Sequence, residues 1–122
     1  MSISALLFAL LCSHAICDFA LQSDAMAKGK NRHNHATPPP GAKFQPSWGH
    51  WLSAHALIHG AGVALVTGVW WLGLAETGCH ALIDFNKCEN RIGMNTDQAL
   101  HITCKVLWVL VVVLLQRAAG DR

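Results

Sequence analysis

His14 and Asp18, His55 and His59, His80 and Asp84, and Asp97 and His101 form four pairs. Each is spaced i, i+4, and each lies in a segment otherwise rich in Ala, Leu, Ile and Val. Residues at that spacing stand one turn apart on one face of a helix. Each pair therefore offers two metal ligands, or an acid and a base, in one direction. Ionisable groups are costly in apolar surroundings and normally face a partner, a cavity or a pathway. A single buried His–Asp pair is more often a structural hydrogen bond, but four pairs together point to a metal or proton-handling site. Five imidazoles and three carboxylates exceed the three protein ligands of a catalytic zinc. Eight groups suit two divalent transition-metal ions sharing a centre, or one ion with acid–base and orienting residues around it. The mixed donor set fits zinc, manganese or iron, and cobalt or nickel as well. All eight residues are candidate ligands, with Asp97 as ligand or general base.

The elements that must carry these pairs follow from composition. The 122 residues are 52% hydrophobic and 13% charged, with a net charge of +2, and the mean hydropathy is +0.32. A soluble domain carries about 25% charged residues. These values exclude a disordered chain and an ordinary soluble enzyme, and the small net charge excludes a nucleic-acid partner that binds a basic face. They point to a membrane, with lipid as a partner. The cysteines (Cys12, Cys17, Cys79, Cys88 and Cys104) are odd in number and show no C-x-x-C spacing, so neither a disulfide framework nor a Cys-type zinc site is expected.

Residues 3–21 form an apolar run of spanning length. No Lys or Arg precedes Lys28 and the run contains Asp18, which favours a retained helix over a cleaved signal. Residues 23–49 read as a polar loop with Lys28, Lys30, Arg32, Lys43 and the breaker Pro38-Pro39-Pro40-Gly41; His33 and His35 there are expected to be solvated. The apolar stretch 50–87 is long enough for a hairpin, with its turn near Thr67-Gly68 or, alternatively, at Glu76-Thr77-Gly78. Trp70 and Trp71 would mark one interface, Trp48 and Trp51 the other. The fold class is all-α, a four-helix up-down-up-down transmembrane bundle in a single integral membrane domain, 1–122. Its helices are expected at about 3–22, 50–67, 70–87 and 96–116. The four pairs lie at the C-terminal ends of the first and third helices and the N-terminal ends of the second and fourth. In such a bundle those ends meet, so all eight groups fall in one layer roughly 5–13 Å inside one interface by helix rise. Lys28, Lys30, Arg32, Lys43, Lys87 and Arg91 make that side cytoplasmic and turn both termini outward, with Arg117 and Arg122 opposing. Lys87, one turn beyond Asp84, can also reach an anionic group. A homo-oligomer is one way to seal four short helices around so many polar groups.

His14-x3-Asp18-Phe19-x2-Gln22, Ala54-His55-Ala56-Leu57-Ile58-His59-Gly60, His80-Ala81-Leu82-Ile83-Asp84-x2-Lys87 and Asp97-Gln98-x2-His101 resemble the motifs of a family of small multi-helix membrane proteins found in phages and bacteria. That family is known only as a domain of unknown function. The resemblance covers nearly the whole chain apart from the 29–48 loop and the C-terminal tail. It implies an integral protein of the bacterial inner membrane, phage-encoded in some cases, and adds Gln22, Lys87 and Gln98 to the site. More distantly, the HxxxD helices are similar to bacterial inner-membrane proteins described as metal-dependent hydrolases.

The leading functional expectation is a metal-dependent hydrolase acting at the cytoplasmic membrane face on a lipid or phosphorylated amphiphile, with Asp97 and Lys87 in catalytic positions. Three other readings compete. One is cation binding or transport, whose sites usually lie near the midplane at broken helices. Another is a di-iron oxygenase resembling membrane desaturases. The last is a non-enzymatic phage membrane protein that alters the host envelope for lysis or superinfection exclusion.

Overall fold

A computed structural model of the chain describes residues 1–34, 40–41 and 44–120; His35, Pro38, Pro39, Lys43 and Arg122 lie outside the described residues. Helix α1 (Ile3–Ala15) runs directly into a π-helical turn, Ile16–Ala20. A short α2 (Asp24–Gly29) follows, then α3 (Trp48–Thr67), α4 (Trp70–Cys88) and α5 (Met94–Gly120). The chain is all-helical, and no strand occurs among the described residues.

Helix α2 is the departure from a plain polar loop at 23–49. Ser23 caps it by accepting from the Met26 N–H at 3.1 Å, and Lys28 reaches back to Asp24 at 2.7 Å. A cap and an i, i+4 ion pair stabilise this short helix, which packs against α3. The turn after α3 falls at Gly68, whose φ of 70° is the left-handed conformation that glycine adopts without a Cβ penalty. Helix α4 then runs unbroken through Glu76, Thr77 and Gly78, so the alternative turn at those residues does not form.

The four long helices close a ring: α1 packs on α3, α3 on α4, α4 on α5, and α5 back on α1. The α3–α4 contact is the most extensive and is backbone-close. A Cβ on Gly60 would stand 2.5 Å from the Gly73 carbonyl oxygen, and one on Gly73 would stand 2.6 Å from that of Gly60. Leu6, Leu10, Val63, Leu72, Val109 and Val112 form an apolar core. On every helix these residues lie to the same side of the His/Asp pair: before it on α1 and α4, after it on α3 and α5. The core therefore fills one end of the ring, and the polar residues fill the other.

The outer face is apolar. Phe8, Leu57, Leu65, Leu82, Leu110 and Leu114 are all more than half exposed, while His55, Glu76, His80, Asp97 and Lys105 are sealed inside. Two helical stretches are long and apolar enough to cross a membrane: Ile3–Ala20, 18 residues with mean hydropathy 1.9, and Met94–Gly120, 27 residues with mean hydropathy 2.0. Helices α3 and α4, with 20 and 19 residues, have the length but not the apolarity. The histidines, glycines and charged groups they turn inward lower their average, so the expectation of four apolar spans reduces to two.

Candidate metal centre

The side chains of the polar layer come from α1 and the π-turn that follows it, and from α3, α4 and α5. On α1 the π-turn interrupts the regular ladder, as such turns often do at functional sites, and it carries Asp18. The Oδ1 of Asp18 lies 3.1 Å from His59 Nε2 and 3.4 Å from His55 Nε2; its Oδ2 lies 3.3 Å from His14 Nε2 and accepts from Gln98 Nε2 at 3.4 Å. From α3 and α4, the His59 and His80 rings stack at 3.6 Å, and His80 stacks on His101 of α5 at 4.1 Å. Asp84 places Oδ2 3.4 Å from His55 Nε2 and Oδ1 3.7 Å from His101 Nε2. Asp97 Oδ1 is 3.6 Å from the same His101 nitrogen. All eight residues singled out by spacing thus share one layer. Seven are buried, and Asp18 is 13% exposed at its side chain.

Ligand atoms gather in three overlapping groups, each with its atoms within 4.8 Å of one another: Asp18, His55, His59 and His80; Glu76, His80 and His101; and Asp84, Asp97 and His101. His14 belongs to none of them. Its Nε2 faces Asp18 and lies 3.4 Å from Gln98 Oε1, so it forms a wall of the layer. Both ring nitrogens of His55 and of His80, the Nδ1 of His101 and the Oδ1 of Asp97 are buried without a hydrogen-bond partner. Buried polar atoms are rarely left so. Each neutral ring carries a proton on one nitrogen and a lone pair on the other; a lone pair without a donor is what a divalent cation would satisfy, and the imidazole–carboxylate mixture fits zinc, manganese or iron.

Four residues complete the site that spacing and resemblance did not single out. Glu76 forms a buried ion pair with Lys105; it also accepts from Trp108 Nε1 at 2.5 Å and lies 3.5 Å from His80 Nδ1. The signal was available, because Glu76-His80-Asp84 and Asp97-His101-Lys105 extend the i, i+4 ladder by one step on each helix. Lys30 pairs with Asp84 and is only 7% exposed. Its position in a polar stretch suggested a topological charge, and nothing in the sequence placed it inside.

The mouth of the layer is a cavity of about 330 Å³, lined by Asp18, Phe19, Gln22, Lys30, Asp84, Lys87, Met94, Asp97 and Gln98. Lys87 Nζ lies 3.4 Å from Asp97 Oδ2. Gln22 donates to the Asp18 carbonyl at 3.1 Å, and Gln98 donates to Asp97 at 3.1 Å. The segment carrying Lys30 is fastened over this mouth. Arg32 binds Glu89 through two bonds of 2.6 and 2.8 Å and lies over the Phe85 ring at 5.3 Å. His33 is exposed but reaches Glu89 at 3.0 Å. The Arg32 hydrogen bonds hold the Glu89 carboxyl down to about 2, with His33 adding to the effect.

The sequence matches the model of a family described as "Protein of unknown function (DUF3307)" over residues 6–120. The chain belongs to the DUF3307 family. No curated protein and no solved structure matches it. The DUF3307 match spans the whole layer, from His14 on α1 to Lys105 on α5. Because the family carries no assigned activity, the chemistry of this DUF3307 chain must be argued from its own residues.

Proposed function

We propose that this chain is an integral membrane protein with four helices in the bilayer, and that it is a metal-dependent hydrolase acting on a lipid or phosphorylated amphiphile. The observation that carries the reading is the convergence of buried, unpartnered imidazole nitrogens with three carboxylates at one end of the ring. An apolar exterior around a polar interior supports the membrane. When bound, one or two metal ions would supply an activated water and a polarised scissile group.

The chain's own residues divide the remaining work. His55, His59, His80 and Asp18 form the nitrogen-rich ligand group, and Asp84, Asp97 and His101 form the oxygen-rich one. Asp97 is ligand or general base: its Oδ1 is unpartnered, and where it does not hold metal it suits proton acceptance from water. Lys87 stands beside it, where a leaving anion would depart. The π-turn favours an amphiphile, because Asp18 and Phe19 line the polar mouth while Ile16 and Cys17 line an apolar groove of about 510 Å³ between α1 and α3. A head group and an acyl chain would meet on the two sides of one turn. The bacterial inner membrane, with the mouth on the cytoplasmic side, is the matching location.

A second reading, cation transport, draws on the same π-turn, since transport sites use interrupted helices. The apolar core beyond the layer counts against passage from the far side. The test is elemental analysis of detergent-purified protein beside a His80→Ala/Asp84→Ala variant, followed by hydrolysis assays on phospholipids and phosphate esters. One or two ions per chain, lost with hydrolysis in the variant, is the expected result. A folded wild type that hydrolyses without metal would refute the mechanism.

A further inference from the structure

Lys30 and Lys87 both face the mouth, and each is paired with a carboxylate of the oxygen-rich ligand group: Lys30 with Asp84, and Lys87 with Asp97. The Oδ1 atoms of Asp84 and Asp97 face His101 Nε2 while Lys30 and Lys87 hold the Oδ2 atoms, so a metal ion on Asp84, Asp97 and His101 would share those carboxylates with the ammonium groups and neutralise the charge on which they rely. The two lysines would respond differently. Lys87 is 29% exposed at its side chain and can turn to water, whereas Lys30 is 8% exposed and cannot. A buried ammonium without a counter-charge is strongly unfavourable. Loading the ligand group with metal therefore creates a need for an anion at Lys30.

The charge of the mouth gives the same answer. Asp18, Asp84 and Asp97 outweigh Lys30 and Lys87 by one negative charge when the histidines are neutral. A single divalent ion reverses the sign, and a second increases the positive balance. An anion is repelled from the metal-free mouth and attracted to the loaded one. Two ammonium groups on one cavity suit a doubly charged oxyanion better than a monocarboxylate.

We propose that Lys30 and Lys87 form a subsite for a phosphate group at the mouth of the layer, and that phosphate and metal bind in mutual dependence. The inference rests on the metal reading above and specifies the substrate group it selects. Linkage makes the coupling reciprocal: phosphate tightens metal by the same factor as metal tightens phosphate.

The experiment titrates manganese(II) alone into the detergent-purified full chain, follows free ion by electron paramagnetic resonance, and repeats the titration with saturating inorganic phosphate. Wild type is expected to bind manganese about 10-fold more tightly with phosphate, within the range usual for coupled sites. Lys30→Met is expected to bind manganese more tightly than wild type without phosphate, because a competitor for Asp84 is gone, and to lose the phosphate effect. Lys87→Gln, at the more exposed position, should bind manganese at least as tightly as wild type without phosphate and weaken the coupling, so the inference survives a fold defect in the first variant. A parallel titration in micelles containing a phosphate-monoester lipid separates sources. Stronger coupling than with inorganic phosphate identifies a lipid head group, and equal coupling identifies free phosphate. Metal binding that ignores phosphate, or coupling that persists in both variants, overturns the inference alone. A folded wild type that takes neither manganese nor another transition metal overturns the metal reading with it.

Discussion

Glu76 and Lys105 are 0% and 1% exposed and pair with each other between α4 and α5. Removing one member of a buried ion pair leaves the other uncompensated and costs about 3–5 kcal/mol. Glu76→Gln strands the Lys105 ammonium. Lys105→Met leaves the Glu76 carboxylate with only the Trp108 N–H and the His80 Nδ1 at 3.5 Å. In the double variant both charges disappear and the glutamine oxygen still accepts from Trp108, so the cost should fall to about 0–2 kcal/mol, with a coupling energy of roughly 3 kcal/mol or more. For a chain of this size about 1 kcal/mol shifts Tm by about 3–5 °C. Thermal unfolding in detergent, followed by circular dichroism, should then place each single variant about 10–20 °C below wild type and the double variant within about 8 °C of it. A double variant as unstable as the sum of the singles would refute the pairing. The same protein tests a second role. The Glu76 carboxylate faces His80 Nδ1 at 3.5 Å, favouring the tautomer that carries the proton there and leaves Nε2 free for metal. Loss of such an orienting carboxylate typically weakens metal binding about 10–100-fold. The stable double variant should therefore lose affinity in a chelator competition although it keeps its fold. Unchanged affinity would remove Glu76 from the positioning of the site.

Gly60→Ala drives a Cβ into the Gly73 carbonyl and the Thr77 hydroxyl and should destabilise by about 1–3 kcal/mol. Gly78→Ala, where a Cβ meets nothing within 4 Å, should be neutral or stabilise by up to about 1 kcal/mol; equal melting curves for the two would contradict the close α3–α4 packing. Glu89 sits at about 2 in the folded state against a reference of 4.5, held down chiefly by Arg32. A depressed carboxyl contributes stability that is intact above the unfolded value and lost as pH falls through the folded one. Acid titration should therefore destabilise wild type more than Glu89→Gln between pH 4.5 and 2, and superimposable profiles would dismiss the Arg32–His33–Glu89 clamp.

The layer was legible because its signal is local. Helical spacing fixes which residues share a face, and the alternation of helix direction fixes which ends meet, so His14, Asp18, His55, His59, His80, Asp84, Asp97 and His101 could be grouped without contacts. The same ladder contained Glu76 and Lys105. Spacing alone does not single them out, because Glu76 also falls in the alternative turn Glu76-Thr77-Gly78 and Lys105 borders the apolar run of the fourth helix. Lys30 was beyond reach for another reason. It enters the site from a short helix stabilised by Ser23 and the Asp24–Lys28 pair, and its partner Asp84 is 54 residues away. No periodicity encodes a contact of that separation. Among the described residues, mean hydropathy singles out Ile3–Ala20 and Met94–Gly120 alone as long enough and apolar enough to span. It treats a helix as a uniform rod, and α3 and α4 spend their inward faces on histidine, glycine and carboxylate.

Along the axis of the ring the side chains change in a consistent order. The mouth carries lysines, glutamines and carboxylates, and the stacked imidazoles lie beneath it. Below them Glu76, Lys105 and Trp108 satisfy one another, and beyond these come Leu72, Val109 and Val112. The Glu76–Lys105 pair is neutral as a unit, so it closes the polar column without altering the charge of the layer above. A transport path needs a second exit, and the unpartnered ring nitrogens of His55, His80 and His101 lie beneath the carboxylates that line the cavity. A site open at one end and sealed at the other by a self-neutralised floor suits a reaction in which substrate enters and product leaves through the same mouth. Lys30 and Lys87 line that mouth, so under the proposed reaction substrate and product would both pass them.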